Sequence, residues 1–163
     1  MGKDVDLNEA RSKIGMVFQH FNLFTHLKAI DNVGIALRRV KGFTKEEARK
    51  KAFRAMEQVK MSDWAEHYPA QLSGGQQQRV GIARAIVHKP LLLLADEPTG
   101  NLDPELSQEI MQLFVRFNQV GTTVLIASHD LELIKQIGSP VISLQDGKVS
   151  HNGLPFTANG NKS

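Results

Sequence analysis

Two adjacent carboxylates, Asp96-Glu97, follow the longest uninterrupted apolar run of the chain, Leu91 to Ala95. A short apolar run of this kind reads as a strand covered on both faces. In a parallel sheet, reactive groups gather beyond the carboxyl ends of the strands, where this pair lies. An aspartate there can hold Mg²⁺, directly or through water, and the adjacent glutamate can polarise an attacking water. The two roles need different directions, and consecutive residues leaving a strand point to opposite sides. Taken alone, the pair reads first as an acidic cap. Ser73-Gly74-Gly75 makes a turn into a helix, whose free amides and positive dipole end form an anion site. Two glycines allow a phosphate to approach the backbone, and the Ser73 hydroxyl adds a donor. The full run Leu72-Ser73-Gly74-Gly75-Gln76, continued by Gln77, Gln78 and Arg79, is far more specific than a lone glycine pair. His129 follows the apolar stretch Thr122 to Ala127, and Gln19 follows Lys13 to Phe18. A histidine at a strand end can donate to a γ-phosphate oxygen and hold a catalytic carboxylate. Gln19 alone carries little, since loop glutamines are common.

These groups need a scaffold. Lys13 to Phe18 reads as a strand, and Gln19 to Phe24 as a polar and aromatic loop. Ala29 to Val40 has a helical apolar face of Ile30, Val33, Ala36 and Leu37, ended by Gly42. Thr44 with Glu47 has the form of a capping box for a helix through about Val59. Trp64 to Pro69 is a connection, and Gly74 to Val87 a helix. Asp103-Pro104 starts another helix, with a buried stripe of Leu106, Ile110, Leu113, Phe114, Phe117 and Val120, ended by Gly121. Thr122 to Ala127 reads as a second buried strand and Leu131 to Ile137 as a short helix. Asp146-Gly147 is a hairpin turn between Val141 to Leu144 and Val149. The alternation predicts a layered α/β core with a mainly parallel sheet. The stretch from Ala29 to Tyr68 is a helical insertion.

The order of Gln19, the Ser73 run, Asp96-Glu97 with Gly100-Asn101-Leu102-Asp103, and His129 resembles the nucleotide-binding domain of ATP-binding cassette (ABC) proteins. The resemblance covers about Gly2 to Gly153. It implies a P-loop NTPase-like ABC ATPase core with a helical subdomain at about residues 29–88, within a partial domain over 1–156. It implies ATP and Mg²⁺ as ligands. Carried over residue by residue, Gln19 contacts metal and water and senses a membrane partner, and Asp96 binds Mg²⁺. Glu97 is the catalytic base and His129 the switch histidine. Ser73, Gly74, Gly75 and Gln76 close over nucleotide held by a second subunit, and Asp103 crosses the dimer interface. The chain departs from the family pattern in having no G-x-x-x-x-G-K-[ST] phosphate loop. Gly2-Lys3-Asp4-Val5 resembles the segment beyond that loop, so the first strands, the adenine-stacking aromatic and the loop itself are expected to be missing. The chain on its own is expected to be inactive as an ATPase.

Subfamily signals diverge. Val5 to Asn8 and Gly15 to Phe24 resemble polar amino-acid importer ATPases. Leu93 to Asp103, Phe114 to Gly121 and Ser128 to Ile134 resemble the FtsE class of cell-division ATPases, the first of these also the lipoprotein-release class. The second half is the longer match and weighs more. The implied partners are a second ABC ATPase subunit and an integral membrane permease or FtsX-like subunit, with the chain cytoplasmic and peripheral on the inner face of the cell membrane. Two other classes compete: a soluble ABC-type ATPase acting on DNA or ribosomes, and an incompetent chain that lends its signature to an intact partner. The first calls for long coiled coils or tandem cassettes, and Gln19 to Leu72 has no sustained heptads.

Composition sets the bounds. The 163 residues are 41% hydrophobic and 23% charged, an ordinary globular balance for about one domain. The net charge of +3 is too small to argue for nucleic acid. There are no cysteines, which removes disulfides and thiolate chemistry. No run approaches the ~20 apolar residues of a membrane span. Arg38 to Arg54 is basic with interspersed glutamates and reads as a solvated helix face. The six histidines show no metal-ligand spacing. Phe18, Phe21, Leu23 and Phe24 suit either a permease-docking cleft or a small core. Thr157 to Ser163 reads as a disordered tail.

Overall fold

The computed structural model describes residues 7–153, which divide into two compact units between Ala127 and Ser128. The Gly2 to Val5 segment and the tail from Thr157 lie outside the described residues. The first unit begins with a short helix that the periodicity did not show, α1 (Leu7–Ser12), and continues into β1 (Ile14–Val17). Two helices follow, α2 (Ala29–Arg39) and α3 (Lys45–Gln58), then single 3₁₀ turns at Ser62–Trp64 and Pro69–Gln71. Next come α4 (Gly74–Ile86), β2 (Leu92–Asp96), α5 (Pro104–Gln119) and β3 (Thr123–Ala127).

The sheet runs β1-β2-β3 with both pairs parallel. Parallel neighbours need crossovers, and the helices supply them: α2, α3 and α4 between β1 and β2, and α5 between β2 and β3. Val17 pairs with Ala95, and Asp96 with Ala127, so all three strands end at one edge. One sheet face buries Gly15, Val17, Leu93 and Ala95. α4 packs on β1 so closely that a methyl group added at Gly15 would run into the Ala85 carbonyl.

Two strand expectations are corrected. β2 buries Leu93 and Ala95, whereas Leu92 and Leu94 are only half-buried. β3 alternates between exposed and half-buried, and Leu125 is 56% exposed. Among the described residues β3 is a sheet edge with α5 against it, and the opposite sheet face carries the exposed Met16 and Leu125 in register with Leu94. An apolar run specifies a strand that can be covered on both sides, not what covers it. Val120 is the third correction. At 80% exposed it has left the α5 stripe, because it sits at the C-cap beyond the last regular turn. Ile110, Leu113, Phe114 and Phe117 are buried as expected.

α2, α3 and α4 pack on one another. The Thr44–Glu47 capping box forms in both directions, with the Glu47 amide donating to Thr44 Oγ1 at 3.2 Å and the Thr44 amide to Glu47 Oε2 at 2.9 Å. Arg79 on α4 donates to the Val59 carbonyl at the end of α3 and pairs with Glu109 on α5. The loop after β1 is held by Asn32, a fully buried residue of α2. Its side chain accepts from the Phe24 amide at 2.7 Å and donates to the Phe24 and Leu27 carbonyls.

The second unit, by itself, is α6 (Leu131–Ile137) and an antiparallel hairpin of β4 (Val141–Gln145) and β5 (Lys148–Gly153). Asp130 caps α6 through the Leu133 amide at 3.0 Å. The hairpin turns at Asp146-Gly147, both with positive φ, as its sequence predicts.

Candidate functional site at the sheet edge and the α4 N-terminus

Asp96 is the last residue of β2 and is exposed. Glu97 is half-buried with φ +43, in the left-handed region that non-glycine residues avoid. Such a residue costs of order 1–3 kcal/mol and persists where its surroundings over-determine it. Here its amide donates to the Ala127 carbonyl at 2.9 Å, and its own carbonyl accepts from the Gly100 amide at 3.1 Å. The chain therefore enters a turn at Glu97, directly after the strand that ends in Asp96.

Gln19 lies two residues beyond Val17, at the same edge. It meets the turn after Glu97. A Cβ placed on Gly100 would lie 3.0 Å from Gln19 Nε2, and Asn101 Nδ2 donates to the Gln19 carbonyl at 3.2 Å. Gly100 lacks a side chain where Gln19 packs. The structure thus joins Gln19 to the turn that carries Asp96-Glu97, although the two segments are distant in sequence. No cluster of three or more His, Cys, Asp or Glu side chains occurs among the described residues. Asp96 and Gln19 offer hard oxygen donors, which suits Mg²⁺: it is usually held by one or two carboxylates, with phosphates and waters completing its shell.

At the second locus, Ser73 N-caps α4. Its Oγ accepts from the Gln76 amide at 3.3 Å, and Gln76 Oε1 accepts from the Ser73 amide at 2.9 Å. Gln76, expected among the nucleotide-binding residues, has its side-chain oxygen engaged in this box. Gly74 lies under the Phe21 ring at 3.6 Å from a built Cβ. Gly75 faces α5, where a Cβ would meet Leu106 Cδ1 at 2.9 Å. Both glycines therefore permit close packing as well as opening the helix end. Asp103 caps α5, with Oδ1 accepting from the Leu106 amide at 3.0 Å. His129 lies in the second unit, exposed, just before the capping Asp130.

Two α4 residues matter more than the sequence reading allowed. Gln78 is 1% exposed and donates to the Pro98 carbonyl at 2.5 Å. Arg84 donates to the Asn22 and Phe21 carbonyls at 2.6 and 3.0 Å, and burial lowers its pKa. One signal for Gln78 was available: Gly75, Gln78, Ile82 and Ala85 share a face at helical spacing, so Gln78 falls in the buried stripe.

Comparison with known proteins shows the family. The ABC transporter family model matches residues 2–100. The cell division ATP-binding protein FtsE of Escherichia coli K12 is 48% identical over 144 residues, covering 88% of this chain and 64% of its own length. The glutamate/aspartate import ATP-binding protein GltL of the same organism is 44% identical over 147 residues, covering 90% and 61%. The chain thus spans somewhat under two thirds of the curated relatives it matches. A dimeric post-hydrolysis structure of the ATP-binding cassette MJ0796, bound to ADP and Pi, superposes with a TM-score of 0.77 at 38% identity, covering 94% of this chain and 69% of that one. A match over residues 2–100, which include the helix capped by Ser73 and the strand ending in Asp96, makes this chain a member of the ABC transporter family.

Proposed function

We propose that this chain is the ATP-hydrolysing motor part of a membrane ABC complex of the FtsE or lipoprotein-release class. The observation that carries the ATPase reading is the meeting of Gln19 with the Glu97–Gly100 turn at the carboxyl edge of a parallel sheet. Asp96 and Gln19 would hold Mg²⁺, which when bound neutralises charge on the phosphate oxygens. Glu97 accepts the proton of the attacking water, and the family resemblance gives His129 the role of switch histidine. Ser73 and the amides of Gly74 and Gly75 bind phosphate of nucleotide held by a second subunit, and Asp103 reaches across the dimer. The MJ0796 structure, a cassette dimer bound to ADP and Pi, supports a dimer that holds nucleotide.

The class assignment rests on the 48% identity to FtsE and on the particular match of Leu93 to Asp103. GltL at 44% supports polar amino-acid import as the second reading. No helix of the described residues is long and apolar enough to cross a membrane. The chain would act at the cytoplasmic face, through an FtsX-like permease. Co-expression with an FtsX-type or an importer-type permease separates the two classes by which one retains the chain.

The catalytic reading is tested in a cassette completed with a relative's phosphate-loop segment. It should show Mg²⁺-dependent phosphate release, and Glu97→Gln should bind ATP without hydrolysing it. Unchanged turnover by Glu97→Gln removes that residue from the role. The 163-residue chain, which contains no phosphate loop, should release phosphate no faster than its own Glu97→Gln variant. In a mixed dimer whose partner has a damaged signature, Ser73→Arg in this chain should abolish hydrolysis. Equal activity with and without Ser73→Arg refutes the trans role.

A further inference from the structure

Gln78 is a polar residue in an apolar place. It sits on the buried face of α4 and is 1% exposed. Its Nε2 donates to the Pro98 carbonyl at 2.5 Å, while its Oε1, also buried, has no hydrogen-bond partner among the described residues. A buried acceptor left unsatisfied costs about 1–3 kcal/mol, more than a typical hydrogen bond contributes. An apolar side chain of the same length would remove that unpaired oxygen but leave the Pro98 carbonyl, inside the buried Pro98, without its donor. What the amide contributes is therefore its single bond to Pro98.

The acceptor matters. Pro98 has no N–H, so its carbonyl is its only backbone polar group. It directly follows Glu97, whose φ of +43 needs holding from outside. On one side the Glu97 amide is tied to β3 through Ala127; on the other, the Glu97 carbonyl closes the turn with Gly100. The bond from Gln78 is a third tie, and it comes from the helix whose N-terminus is Ser73. We propose that Gln78 is a positioning residue: through the Pro98 carbonyl it holds the Glu97 turn, and so links the phosphate-facing end of α4 to the chain's own acidic pair. Its effect on turnover rests on the proposed role of Glu97; its effect on the turn does not.

The test has two arms. In this chain, Gln78→Met keeps length and removes the donor. Amide hydrogen exchange at Gly100 and Leu102, whose N–H groups bond within the turn, should speed up by about tenfold or more, while the α4 amides Ile82 and Ala83 stay within about twofold. Unchanged exchange at Gly100 overturns the proposal. Gln78→Glu supplies a second variant that stays informative if the methionine form folds poorly. A carboxyl group donates to a carbonyl only when protonated. Burial at this site favours the protonated form, so protection at Gly100, corrected for the intrinsic rate, should be lost only once the carboxyl ionises as pH is raised and should return on acidification. A side chain that merely filled volume would show no such return, and that result also overturns the proposal.

In the second arm, the completed cassette carrying Gln78→Met should lose about 10- to 100-fold in kcat with little change in KM for ATP, as expected when a reacting group is misplaced. If Glu97→Gln abolishes turnover but Gln78→Met changes neither exchange nor kcat, the inference fails and the ATPase reading stands. If Glu97→Gln leaves turnover intact while exchange at Gly100 rises in Gln78→Met, the ATPase reading fails and the structural tie stands.

Discussion

Substituting Gly15 with alanine tests whether the sheet and the signature helix are seated as described. Gly15 lies on β1, buried beneath α4, with no positive φ, so any cost is steric rather than conformational. An ideal Cβ there would overlap the Ala85 carbonyl of α4 and lie 3.0 Å from Leu93 Cδ1 and 3.1 Å from Pro90 Cγ. The nearest obstacle is helix backbone, which cannot rotate away, so relief requires α4 to lift from the sheet. Overpacking a close contact costs about 1–3 kcal/mol, and backbone contact puts Gly15 at the upper end. Replacing a strand glycine recovers roughly 0.5–1 kcal/mol of chain entropy. The net expectation is a loss of about 2 kcal/mol, or roughly 4–8 °C in Tm for a chain of this length. Gly75→Ala is the matched control. Its Cβ also meets an obstacle, Leu106 Cδ1 at 2.9 Å, but a half-buried leucine tip can change rotamer, and alanine is the better helix residue by about 1 kcal/mol. Its Tm should move by no more than about 2 °C. Urea and thermal unfolding of the three proteins decide the matter. A Gly15→Ala protein as stable as the parent, or a Gly75→Ala protein equally damaged, would show that α4 is not seated against β1 as described.

Asp103 has a structural duty that can be separated from any role across a dimer. Asp103→Ala should cost about 1 kcal/mol by uncapping α5, whereas Asp103→Asn, which still caps, should leave the unfolding midpoint nearly unchanged. His88 makes a pH prediction. Burial is the main cause that lowers its pKa, with the Lys41 charge a smaller one, against a hydrogen bond to the Ile14 backbone that raises it. The unfolded chain, with a histidine pKa of about 6.5, therefore binds the proton more readily, so this contribution to stability is present above that value and is lost as pH falls toward the depressed folded value. Thermal scans between neutral and acidic pH should show the parent losing Tm relative to His88→Gln; parallel curves would exclude the histidine as the cause.

Much of the fold was legible in the residues because its signals are local. The Thr44–Glu47 box, the Asp103-Pro104 helix start, the Asp146-Gly147 turn and the apolar periods of α2 and α5 are set by groups within a few residues of one another. The order of Gln19, the Ser73 run and Asp96-Glu97 likewise carried the resemblance to the ABC family. Burial was less legible. Leu91 to Ala95 and Thr122 to Ala127 look alike as apolar runs, yet among the described residues β2 is central with neighbours on both sides, and β3 is an edge with Leu125 exposed. That difference belongs to the neighbours a strand acquires. Long-range polar contacts were the least visible. Arg84 to the Phe21 and Asn22 carbonyls, Asn32 to Phe24 and Gln78 to Pro98 join segments through backbone acceptors, and every residue has a carbonyl, so side-chain identity cannot say which one is used. The left-handed Glu97 is of the same kind. By itself the sequence determined the chemistry available and the elements that carry it; the tertiary structure decided which groups meet, because a strained turn is held only by partners that folding brings from elsewhere in the chain.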